Sequence, residues 1–167
     1  MIHVDIKLSL LVVGLLFLGG CTSRAATKID LCSLVTKEEA AAALGGDVEV
    51  TLRPDGKVCA YDLVPAGSGK ATRYGSIAVM VVTSDSVEFQ KFGVSKDART
   101  AAKPVSGVGE RAVIFMSKER PDDGAKAIQA LKGNVYVGIG MGTSTTPVSE
   151  DVLKTLATKA LSRLPAK

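Results

Sequence analysis

The chain has 167 residues, a net charge of +4 from 21 Lys and Arg against 17 Asp and Glu, and 46% apolar residues; that is the balance of one globular domain, not of a disordered tail. The basic excess is diffuse, with no basic run interleaved with aromatics, which argues against a nucleic-acid partner. There is no tryptophan and the only histidine is His3, so a tryptophan sugar platform is excluded, and removal of an N-terminal signal segment that contains His3 would also exclude Ser-His-Asp or Cys-His chemistry and imidazole metal ligation.

In chain order, the first feature is an apolar run from Leu8 to Leu18, preceded by Lys7 and closed by Leu18-Gly19-Gly20-Cys21. It is well short of the ~20 apolar residues that a permanent span requires. Small residues leading into a cysteine at this position resemble the lipobox of bacterial lipoproteins. The resemblance implies cleavage before Cys21, a diacylglycerol on its sulfur and acylation of the new amino terminus, and two or more chains anchor stably. The expected organisation is a lipoprotein signal peptide over 1–20, a lipidated tether over 21–30 and a single domain over 31–167. An uncleaved anchor or buried helix is the alternative, and Gly14, Gly19 and Gly20 suit it poorly. The implied location is the cell envelope, facing the periplasm or the outside; Thr22, not Asp, follows Cys21, which implies the outer membrane where there are two. Thr22 to Ile29 reaches at most about 30 Å from the bilayer when extended.

With Cys21 assigned to lipid, Cys32 and Cys59 remain, and an exported chain meets conditions in which thiols pair. A Cys32–Cys59 disulfide is expected, worth about 3–4 kcal/mol on the chain-entropy account. The rival reading is a reactive or metal-binding thiol, but the spacing matches no zinc motif.

The domain opens with Thr36-Lys37-Glu38-Glu39, a capping box, followed by Ala40 to Leu44 and the stop Gly45-Gly46: a short helix. Val48, Val50 and Leu52 alternate as a strand. Arg53-Pro54-Asp55-Gly56 is a turn into a second strand, Val58 to Val64, with Cys59, Tyr61 and Leu63 on one face. Pro65 to Gly75 reads as a flexible loop, and Ile77 to Val82, apolar on both faces, as a central strand. Ser84 to Ala98 reads as a helix with Val87, Phe89 and Phe92 as core contacts, and Lys103 to Gly109 as a linker. Arg111 to Met116, Ala125 to Lys132 and Val135 to Met141 are strands, the last two joined by a Gly133-Asn134 hairpin. Ser149 caps a final helix whose stripe is Val152, Leu153, Leu156, Ala157, Ala160, Leu161 and Leu164, ended by Pro165. This order predicts an α+β fold: an antiparallel sheet of about five to six strands, with helices packed mainly on one face and one disulfide as a staple.

The short motifs Cys32-Ser33-Leu34-Val35-Thr36, Leu44-Gly45, Cys59-Ala60-Tyr61 and Val108-Gly109-Glu110-Arg111-Ala112, with the terminal Leu-Ala helix, together resemble small actinobacterial-type envelope lipoproteins of unknown function. The resemblance implies a disulfide-stapled α+β domain on a lipid anchor, and no reaction.

Candidate chemistry is sparse. Gly69-Lys70 fails the phosphate-loop pattern at Val64 and Ala71, Ser68 fails the nucleophile-elbow pattern at Ala66 and Lys70, and no Ser-x-x-Lys occurs. Gly107-Val108-Gly109 lacks the third glycine of a dinucleotide fingerprint and reads as a turn. Asp122-Asp123 and Glu150-Asp151 lack calcium-loop spacing. No catalytic residue, metal ligand or cofactor is assigned. Gly138, Gly140 and Gly142 share one strand face. That bare face either packs closely against a helix, the last one being the natural choice, or floors a groove for an acyl chain or peptide. The expected function is a lipid-anchored, non-enzymatic binding module for an envelope protein or lipid-like ligand. The alternative is an envelope hydrolase or transferase using carboxylates or a Ser/Lys pair assembled by the fold.

Overall fold

A computed structural model of the chain describes residues 29–65, 74–94, 99–119, 124–142 and 147–165. Its elements in order are α1 (Leu31–Leu34), α2 (Lys37–Leu44), β1 (Val48–Leu52), β2 (Val58–Leu63), β3 (Ser76–Thr83), a 3-10 turn (Phe89–Lys91), β4 (Thr100–Val105), β5 (Arg111–Ser117), β6 (Ala125–Lys132), β7 (Val135–Met141) and α3 (Glu150–Ser162). The strands form one open antiparallel sheet in the order β1-β2-β3-β7-β6-β5-β4.

Local signals account for most boundaries. The Thr36 hydroxyl accepts from the Glu39 N–H at 3.2 Å and the Glu39 carboxylate from the Thr36 N–H at 2.9 Å, completing the capping box, and Gly45 ends α2 in the left-handed conformation. Ser149 caps α3 through the Val152 N–H. The Gly133-Asn134 hairpin pairs Lys132 with Val135. Alternation then sorts the sheet into two faces. Cys59 and Tyr61 of β2, Ile77 and Val79 of β3, Ile114 of β5, Ile128 and Ala130 of β6, and Val137 and Ile139 of β7 form one core with Leu31, Leu34, Ala40, Leu44, Leu153, Leu156, Ala157, Ala160 and Leu161 of the three helices. Antiparallel sheets tolerate this one-sided cover.

The strand count is seven, not five to six. The additional strand is β4, which takes in the first part of the expected Lys103–Gly109 linker; Ala101, Ala102, Lys103 and Pro104 are all exposed, so no alternation marks it. Gly107 and Gly109 make the turn that follows, with Val108 buried between them. The expected helix over Ser84–Ala98 is also absent among its described residues, 84–94, which hold a turn and the 3-10 segment. Val87 is 69% exposed. Phe89 and Phe92 instead pack against Tyr136 at centroid distances of 5.9 and 5.6 Å, and the Gly93 N–H donates to the Gln129 side chain at 2.7 Å. This segment lies on the sheet face opposite the helices, where Tyr136 takes the two phenylalanine rings. Helix α1, absent from the expected elements, is capped by Asp30, whose carboxylate accepts from the Cys32 N–H.

Candidate functional site

Cys21 lies outside the described residues. Cys32 and Cys59 are disulfide-bonded, with their Cα atoms 5.3 Å apart, joining α1 to β2. Next to this bond the buried Tyr61 hydroxyl donates to the carbonyls of Cys32 and Val35. Burial, and then the charges of Asp30 and Glu39, push the Tyr61 phenol up to about 12, so it stays a neutral donor.

Gly138, Gly140 and Gly142 do share a face, the one turned away from α3, which packs over Val137 and Ile139 instead. The space a Cβ would fill at Gly138 is taken by Met80, whose Cγ is 2.9 Å from that point; at Gly142 it is taken by the Ser76 hydroxyl. Only at Gly140 is that space open, with nothing within 4 Å. The close neighbours permitted by the missing side chains are thus residues of β3.

A second feature, which no local motif announces, is a groove of about 450 Å³ between α2 and α3. α2 turns Ala40 and Leu44 into the core, so Ala42 and Ala43 face α3, and their single methyls leave room between the helices. Val152, Thr155 and Leu156 form the opposite wall, and Glu38, Glu39, Asp151 and Lys159 stand around it.

Glu39 belongs to a clamp that closes the helix pair. Arg163, at the end of α3, donates to both carboxylate oxygens at 2.6 and 2.7 Å and to the Leu34 carbonyl at 2.8 Å, and Lys159 adds an ion pair at 3.1 Å. Bidentate, charge-assisted contacts of this kind are the strong ones. Arg163 chiefly, against the desolvating effect of burial and helped by the Thr36 N–H, holds the Glu39 carboxyl at about 2, below its ordinary 4.5. Glu38 is lowered too, by backbone N–H and Thr36 hydroxyl donation. These carboxylates are therefore anions at neutral pH. That suits them to pair with cations, not to donate protons, since a general acid needs a raised pKa.

The clamp has a pH signature. Folding lowers the Glu39 pKa, so its stabilisation is complete above 4.5 and is lost as pH falls towards about 2. Glu39→Gln keeps the capping-box geometry but removes the ion pair. It is expected to cost about 2 kcal/mol at pH 7, with the gap from the parent closing near pH 2 in urea unfolding. A gap independent of pH would mean that the charge contributes nothing.

The chemistry-bearing residues brought together here, Glu38 and Glu39 with Asp151, Lys159 and Arg163, lie more than a hundred residues apart in the chain. The only signal in the sequence was the run of alanines on α2, which reads as helix propensity and not as a gap. Among the described residues, no group of three or more His, Cys, Asp or Glu side chains is placed to hold a metal ion. No protein-family model, no curated protein and no solved structure matches this chain.

Proposed function

We propose that the protein is a lipid-anchored lipoprotein of the cell envelope, held at its membrane through Cys21, and that its domain is a non-enzymatic interaction module. Its α2–α3 groove takes an apolar segment of a partner protein that carries Lys or Arg beside the apolar residues. The observation that carries this reading is the charge of the groove. Arg163 and Lys159 already neutralise Glu39, which leaves Glu38 and Asp151 as the carboxylates turned to a partner beside the Ala42, Ala43, Val152 and Leu156 lining, on a chain whose net charge is +4. Local charge of the opposite sign to the whole selects a cationic partner and repels other copies of the groove. The anchor reading rests on Leu18-Gly19-Gly20-Cys21 and the apolar run before it.

Two measurements test the two halves separately. Full-length chain expressed in bacteria with a clickable fatty acid is expected to take up label and sediment with membranes, and Cys21→Ala to lose both; equal labelling of the variant would sink the anchor. For the groove, a photo-crosslinking amino acid at Thr155 is expected to give adducts whose peptides combine apolar residues with Lys or Arg, and Ala42→Arg, which fills the groove and opposes its charge, is expected to abolish them. Adducts to lipid alone, to acidic peptides, or to nothing would refute the groove reading while leaving the anchor standing.

A further inference from the structure

The sheet is open, and its two edges are unalike. β4 presents Lys103 and Pro104, a charge and a residue with no N–H, both of which discourage strand addition. β1 has no proline and no lysine: its five residues are Val-Glu-Val-Thr-Leu, with Glu49 its one charge, and Val50 is 36% and Leu52 50% exposed.

The phase of the β1–β2 ladder shows which backbone groups are spent. The Arg53 N–H donates to the Val58 carbonyl and the Val64 N–H to the Asp47 carbonyl, each at 2.8 Å. Antiparallel pairs alternate between bonded and non-bonded. Asp47, Glu49, Thr51 and Arg53 therefore turn their backbone groups to β2, and Val48, Val50 and Leu52 turn theirs to the open edge.

We infer that this edge is the contact surface for a second copy of the chain, added antiparallel about a two-fold axis at Val50. Val50 then opposes Val50 of the partner subunit, and Val48 opposes Leu52 of the partner subunit, with the reciprocal pair on the other side of the axis. About six inter-strand hydrogen bonds form, and the two exposed apolar side chains are covered. Such an interface is isologous and closes at two copies.

Charge selects this register over its neighbours. Centred on Val50, Arg53 faces Asp47 of the partner subunit on both sides, and Glu49 faces Thr51 of the partner subunit. Centred on Glu49, the chain's Glu49 would face Glu49 of the partner subunit, and centred on Val48, Asp47 would face Glu49 of the partner subunit; like charges directly opposite destabilise a pair. Centred on Thr51 or Leu52, Pro54 enters the ladder without a donor; the first of these also opposes Asp47 to Asp55 of the partner subunit.

The register makes the test specific. In the full-length chain, Val50→Cys brings two cysteines opposite each other within bridging distance, while Thr51→Cys leaves them about 8 Å apart, beyond it. Mild oxidation is expected to give several-fold more disulfide-linked dimer from Val50→Cys than from Thr51→Cys or from the unsubstituted chain, which sets the background from Cys21. A five-residue edge is a small interface at the weak end of the scale, so hydrodynamic mass is read at about 100 μM protein in detergent. There the parent is expected to be a dimer and Val50→Lys a monomer with an unchanged circular-dichroism melt, its substitution lying where no β2 bond is made. A parent that is monomeric at this concentration, or Val50→Cys that crosslinks no better than Thr51→Cys, overturns the proposal and leaves the edge to a strand of some other protein.

Discussion

Replacing Cys32 and Cys59 together by alanine is expected to lower the unfolding free energy by about 3–4 kcal/mol. The bond spans 27 residues, and on the chain-entropy account a loop of that length restricts the unfolded chain by this amount. The stabilisation has a native-state side as well. α1 is only four residues long and too short to persist alone. It is held by the disulfide, by the Tyr61 hydroxyl on the Cys32 and Val35 carbonyls, and by Arg163 on the Leu34 carbonyl. Loss of the bond is therefore expected to loosen α1 first, and with it the support beneath Glu39. Urea unfolding of the double alanine variant, alongside the parent with and without reductant, measures the change. A loss below about 1 kcal/mol would show that the loop is already constrained in the unfolded chain.

Gly109→Ala is expected to cost about 3 kcal/mol, from two separable sources. Gly109 has φ +59°, where an alanine is strained, and its Cβ would overlap the Leu131 carbonyl oxygen and stand 2.8 Å from Leu161 Cδ1. The carbonyl is backbone in the β5–β6 ladder and already accepts from the Glu110 N–H at 2.9 Å. It cannot retreat without opening the strand pair or displacing α3. Gly107→Ala is the control: its φ is +80°, but nothing lies within 4 Å of the new methyl, so only the backbone strain of about 1 kcal/mol is expected. Equal losses at the two positions would show that the close approach of α3 to this turn contributes little.

Gly109 also illustrates how much the chain discloses by itself. The Gly107-Val108-Gly109 turn is legible, because glycines before an apolar run mark a turn whatever surrounds them. That Val108 is buried, and that Leu161 presses on Gly109, depends on where α3 lies. β4 failed to register for a related reason. At this sheet edge both faces of Ala101 to Pro104 are in water, so no alternation is required, and their pairing with β5 rests on backbone bonds that leave no mark in side-chain type. The segment after β3 differs in the opposite direction: only Phe89 and Phe92 stand at helical spacing, and their rings are taken by Tyr136 on the second sheet face, not by a helix contact with the core.

What the amino-acid sequence determined alone is whatever short-range chemistry decides: the capping box at Thr36, the Gly133-Asn134 hairpin, the apolar stripe of α3, and the α+β class. The tertiary structure alone decided which sheet face the helices cover, that Met80 and Ser76 fill the space beside Gly138 and Gly142, that alanines on α2 leave a groove against α3, and that Glu39 meets Arg163. The physical reason is range. Propensity, capping and alternation act over a few residues, whereas a groove or an ion pair between distant segments exists only after the chain entropy separating them has been overcome by burial of a shared core.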